Sequence, residues 1–114
     1  MRLRFPKAAR LFRAAEFSRL RAEGRSFHGR YMVLSVLASE GGAARVGIIT
    51  SRRVGGAVAR VGVRRRLREL VRAERPRLAM GQWFVLVARA KAVEAEFSAL
   101  RAEWLQLAAR AGLL

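Results

Sequence analysis

The order of apolar and polar positions divides the chain into alternating helical and extended stretches. From Arg10 to Glu23 the apolar residues Leu11, Ala14, Ala15, Phe17 and Leu20 recur near helical spacing. Gly24 follows as a stop, so a short helix is expected there. Phe27–Ala38 is rich in aromatic and β-branched residues and predicts an extended segment. Ser39-Glu40-Gly41-Gly42 is a turn signal and Ala44–Thr50 a second strand, which together predict an antiparallel hairpin. Gly55-Gly56 then introduces a long helix, about Ala57 to Ala73, ended by Pro76. Trp83–Ala88, bounded by Gly81 and Arg89, predicts a short apolar strand. Val93, Phe97, Leu100, Trp104 and Leu107 mark a last helix with a core-facing stripe. This order of elements predicts an α+β fold, an α/β sandwich with a small sheet.

The long helix carries two distinct faces. At roughly 100° per residue, Val63, Leu67, Leu70 and Val71 share one arc, and Arg64, Arg65, Arg68 and Arg72 share another. Solvated helix faces usually mix charges to gain pairs at i,i+4, whereas here only Glu69 interrupts the run. Like charges crowded on one face destabilise the helix, and a polyanionic ligand relieves that cost.

Composition sharpens this picture. The chain has 114 residues, enough for one domain over residues 1–114 with one modest core, and 53% of them are apolar, which argues against disorder. Lys and Arg total 24 against 8 acidic residues, for a formal charge of +16. A compact domain of this charge repels itself, and polyanion binding is the usual reason for such an excess. Only Lys7 and Lys91 are lysines. Arginine forks onto phosphate and stacks on bases, which suits RNA, although a GC-rich genome would produce the same bias. Cysteine is absent, which excludes disulfides and thiolate metal sites. Met1–Phe12 has no apolar stretch fit for a signal peptide, and Met32–Leu37 is far too short to span a membrane. A cytoplasmic protein with no membrane partner is expected.

The chain offers no obvious chemistry of its own. His28 stands alone, Asp is absent, and the glutamates are dispersed, so neither a metal site nor a two-metal nuclease centre is expected. None of the serines has a credible His partner for nucleophilic catalysis. Val54-Gly55-Gly56-Ala57 lacks the spacing and the lysine of a phosphate loop. The residues alone describe a nucleic-acid-binding module without an active site.

The run Arg45-Val46-Gly47-Ile48-Ile49-Thr50-Ser51-Arg52-Arg53-Val54-Gly55-Gly56-Ala57-Val58-Ala59-Arg60, followed by Val63-Arg64-Arg65 and Arg68-Glu69, resembles the signature of the bacterial ribonuclease P protein component. Leu3–Pro6, Arg10–Phe17, Gly24 and Trp83–Ala92 resemble its flanking elements, so the likeness covers nearly the whole chain. The resemblance implies a mixed sheet of about four strands, with the long basic helix in a left-handed βαβ crossover. It implies a subunit of the endoribonuclease that removes the 5′ leader of precursor tRNA. On this reading the RNA subunit supplies the chemistry and binds Mg²⁺, and no obligate protein partner is expected. Arg52, Arg53, Arg60, Arg64, Arg65, Arg68 and Arg72 are then the RNA grip, and Phe17, Tyr31 and Ser51 belong to a leader cleft. For Phe17, stacking on a base and plain core packing both remain open.

Several positions depart from the family pattern. Val61 and Gly62 stand where the family has Asn and Arg; Gly62 weakens the helix by roughly 1 kcal/mol relative to Ala. Arg21 replaces a common aromatic and Ile49 a common Ser. Ser35 replaces a Tyr-like residue, for which Tyr31 on the same strand face is expected to compensate. A non-catalytic RNA-binding protein of ribosomal type is the alternative function, and an autonomous nuclease the third.

Overall fold

The computed structural model describes residues 14–38, 42 and 44–114. The expected N-terminal Leu3–Pro6 element, the start of the first helix and most of the turn at 39–43 lie outside the described residues. In chain order the elements are α1 (Ala14–Glu23), β1 (Arg25–His28), β2 (Met32–Ala38), β3 (Arg45–Ile49), α2 (Ala57–Glu74), β4 (Gln82–Ala88) and α3 (Phe97–Arg110). Short 3-10 turns follow β3 at Arg52–Val54, α2 at Arg75–Arg77 and β4 at Ala90–Ala92. The fold is α+β.

The strands form one mixed sheet in the order β1-β2-β4-β3. β1 pairs antiparallel with β2, β2 pairs antiparallel with β4, and β3 runs parallel to β4. The expected hairpin between Phe27–Ala38 and Ala44–Thr50 therefore does not form, because β4 lies between the two segments. Burial is the reason. Phe84, Val85 and Leu86 are consecutive buried residues, and such a run needs a layer on each face and a strand on each edge. β3 carries Arg45 and a glycine at Gly47 and takes the edge instead. Phe27–Ala38 is itself two strands, folded back at Gly29–Tyr31, where the Gly29 N–H donates to the Met32 carbonyl (2.8 Å).

The two faces of the sheet are covered unequally. Met32, Leu34, Val36, Val46, Phe84, Leu86 and Ala88 point to the side of α2 and α3. There they meet Val63, Leu67, Leu70 and Val71 of α2 and Leu100, Trp104 and Leu107 of α3. Trp104 stacks on Phe84 with centroids 5.8 Å apart, which adds about 1 kcal/mol to the burial of both rings. On the opposite face, among the described residues, α1 covers Val85, packing Leu20 and Phe17 against it with Leu37, Ile49, Trp83 and Val87.

Two helix expectations change in detail. Ala14 and Ala15 are exposed, and the buried residue of that turn is Glu16, whose carboxylate meets the Arg45 guanidinium across the layer. Phe97 is 45% exposed at the start of α3, so the core stripe begins at Leu100.

Glu103 ties α3 to the sheet. Its Oε2 accepts the backbone N–H groups of Tyr31 (2.8 Å) and Met32 (3.1 Å), and its Oε1 accepts that of Arg30. Gly29 leaves room for this carboxylate, since a Cβ there would lie 2.4 Å from its Cδ. Glu103→Ala is expected to lower stability by about 2 kcal/mol, because three turn donors lose a charged acceptor. Urea unfolding measures it; an unchanged midpoint would show that the turn holds without the carboxylate.

Candidate nucleic-acid interface

Three segments reach the same end of the sheet. β3 and β4 are parallel, so their C-terminal ends lie side by side, and β2 starts there with Met32 opposite Ala88. Residues just past parallel strand ends are released from the ladder, and ligands commonly bind at that edge. Ser51 and Arg53 follow β3, Arg89 to Lys91 follow β4, and Arg30 comes from the β1–β2 turn, together lining a basin of about 510 Å³. Arg30, Arg53, Arg89 and Lys91 line it, and among the described residues no carboxylate does. Two of these cations are held in place: Arg89 donates from Nη1 to the Gly29 carbonyl (2.9 Å), and the Arg30 guanidinium lies 5.8 Å from the Tyr31 ring centroid. In the 3-10 turn after β3, Val54 is buried, which leaves Arg52 and Arg53 exposed.

A second recess adjoins the basin on the α1 face and shares Val87 with it. Phe17, Arg21, Ser26, Ser35 and Ile49 line it, with the Ser26 and Ser35 hydroxyls 2.8 Å apart. Phe17 can lie against the sheet because position 47 has no side chain: a Cβ there would be 2.7 Å from the ring's Cε1. The ring packs on the small cluster around Leu20 and Val85 yet remains half-exposed. Tyr31 does not join it. Tyr31 sits at the turn before β2 and packs against the helix-side core, so it does not compensate for Ser35 in this recess.

The third surface is the outer face of α2. Arg64, Arg65, Arg68 and Arg72 line a groove of about 300 Å³ together with Val61 and Glu69. Arg72 reaches Glu69 at 3.3 Å, an i,i+3 pair. Arg60 is half-buried, and its Nε is buried without a hydrogen-bond partner among the described residues. Arg64 donates from Nη2 to the Thr50 Oγ1 (2.7 Å), which places this face beside the end of β3. Thr50 is buried and precedes Ser51 of the basin, so this hydrogen bond ties Arg64 of the groove to the strand end from which the basin begins.

Not every arginine of the run points outward. Arg66 turns under the helix and donates to the carbonyls of Ala95 (3.0 Å), Val93 (3.1 Å) and Ala92 (3.3 Å). It holds the segment that leads from Lys91 to α3. Arg30, Arg89 and Lys91 were not singled out from the sequence. Their signal was the position of Arg89 and Lys91 directly after an apolar strand, and it is readable only once β3 and β4 are known to be parallel neighbours.

The family model described as Ribonuclease P matches residues 5–112. The chain belongs to the ribonuclease P family. A ribonuclease P protein component from Symbiobacterium thermophilum is 41% identical over 109 residues, covering 95% of both chains. One from Chloroflexus aurantiacus is 40% identical, covering 95% of this chain and 81% of its own. Among solved structures, the RNase P protein from Thermotoga maritima superposes with a TM-score of 0.80 at 27% identity, covering 89% of this chain and 96% of that one. A Staphylococcus aureus RNase P protein mutant shares the fold at a TM-score of 0.88 and 23% identity, covering 95% and 92%.

The contact between Phe17 and Gly47 makes a direct test of the recess. Gly47→Ala is expected to cost about 1–3 kcal/mol by displacing the ring, and Phe17→Leu should relieve much of it. A double-mutant cycle in urea unfolding measures the coupling, and additive effects would show that the ring does not depend on the glycine.

Proposed function

We propose that this protein, as a protein component of ribonuclease P, holds two RNA segments at once. The basic groove of α2 takes the catalytic RNA subunit, and the basin with the Phe17 recess takes the 5′ leader of precursor tRNA. The observation that carries the proposal is the pair of cation-lined surfaces tied together where Arg64 of the groove bonds Thr50, the residue before Ser51 of the basin. Phosphates on the four basin cations would release condensed counterions, and the Phe17 face offers a base a stacking surface. Roles follow from position: Arg64, Arg65, Arg68 and Arg72 face the RNA subunit, whereas Arg53, Ser51, Arg89 and Lys91 face the leader. Arg52, exposed in the 3-10 turn after β3, and Arg60, half-buried on α2, line neither surface, and Tyr31 is left to support Arg30.

The cleavage chemistry belongs to the RNA subunit on this reading, and so does the Mg²⁺ that serves it. Among the described residues no three His, Cys, Asp or Glu side chains come together. The protein's part is to bind, orient and neutralise. No helix among the described residues is long and apolar enough to cross a membrane.

Adding the protein to its cognate catalytic RNA at low Mg²⁺ is expected to raise the rate of precursor-tRNA cleavage well above that of the RNA alone. An effect no greater than that of an unrelated basic protein would reject the assignment. Within the holoenzyme, Arg89→Ala should weaken binding of precursor tRNA severalfold and leave mature tRNA unaffected. Equal losses for both substrates would move the basin's partner from the leader to another RNA segment.

A further inference from the structure

The N-terminal half of α2 breaks the rules of an exposed helix at neighbouring positions. Val58 is 90% exposed and Val61 58% exposed, although β-branched residues are poor helix formers and gain nothing from solvent. Gly62, in the interior of the same helix, is a worse one. Beyond its chain neighbours and its own helix backbone, a Cβ on Gly62 would meet no atom of the described residues within 4 Å, so no packing among them requires a glycine there. Gly24, Gly29 and Gly47 are different, since a Cβ on each would collide with a neighbour.

These residues form one surface. Val58 and Gly62 are four apart, as are Val61 and Arg65; Val58 and Val61 are three apart, as are Gly62 and Arg65. At helical spacing they occupy the corners of a single lozenge on the helix surface. Three corners are apolar or bare and the fourth is a guanidinium. Val61 also forms the end wall of the arginine groove, so the bare strip and the basic groove are continuous.

We infer that Val58, Val61 and Gly62 form a low-relief seat on which the backbone of the RNA subunit makes close contact. The C–H faces of its riboses pack on the two valines, its chain passes over the bare Cα of Gly62, and its phosphates reach Arg64 and Arg65. This inference rests on the assignment of α2 to the catalytic RNA. Charge selects that occupant. The strip is flanked by Arg64, Arg65 and Arg68, and the Glu69 carboxylate beside them is paired with Arg72. A second copy of this chain would bring another +16 to the same place, which disfavours self-association through the strip.

The seat contributes shape where the arginines contribute charge, and the two separate experimentally. Full-length protein carrying Gly62→Ala is expected to melt about 4 °C higher, since alanine is the better helix former. It should nevertheless bind the intact RNA subunit about tenfold more weakly, because the methyl group lifts the backbone off the helix. The slope of log affinity against log salt should stay unchanged for Gly62→Ala and for Val61→Ala, as no phosphate contact is lost. Arg65→Ala should weaken binding and flatten the slope. Gly62→Ala protein that binds as tightly as the parent would overturn the inference while leaving the basic groove standing, provided Arg65→Ala still weakens binding. If Arg65→Ala too has no effect, the RNA subunit does not dock on α2, and both readings fail. A concentration-dependent dimer in sedimentation, abolished by Val58→Lys, would assign the strip to a second copy and also overturn the inference.

Discussion

The burial of β4 on both faces organises the molecule. Phe84, Leu86 and Ala88 need the layer of α2 and α3, while Val85 and Val87 need α1 on the other side. A strand of this kind takes the interior of a sheet, and β3, arriving later in the chain than β2, is pushed to its far edge. The parallel pairing of β3 and β4 then requires a crossover, which α2 provides. Because the two strands end side by side, the residues that follow them converge, and the cation-lined basin is a consequence of that pairing.

The same constraint sorts the cations. A core of this size is stable only if the surplus charge stays at the surface or finds acceptors within it. Arg45 meets Glu16 across the α1 layer, and Arg66 spends its guanidinium on three loop carbonyls. These arginines are part of the scaffold. Arg65 lines the outer groove of α2, and Arg30, Arg53, Arg89 and Lys91 line the basin, where phosphate is a group that fits them. Charge count alone could not separate the two sets, since Arg65 and Arg66 are neighbours in the chain with opposite duties.

Much of the design was legible from periodicity. The four apolar residues assigned to the inner arc of α2, Val63, Leu67, Leu70 and Val71, are all buried, and Val61 lies on the outer face with Arg64, Arg65, Arg68 and Arg72. The signature around Arg45–Glu69 reached the family, which the comparisons with relatives show. What was misread depends on contacts between distant segments. Strand alternation puts Tyr31 on the face of Ser35, but Tyr31 lies in the turn, where the alternation no longer holds and the ring packs toward the helices. Glu16 lies among apolar neighbours of α1 and is buried because Arg45 of β3 waits for it, which no local pattern announces.

The sequence by itself determined the identity of most elements, the inner and outer faces of α2, the net charge and the family. Each is a local property, set by the spacing of residues within one segment or by their number. Only the tertiary structure decided that β4 separates β2 from β3, that Arg30, Arg53, Arg89 and Lys91 share one basin, and that Gly62 borders open space. Periodicity tells a side chain which face of its own element it occupies. It is silent on which strand lies alongside, because that choice is made by the burial of the whole sheet at once. The basin exists through that collective choice.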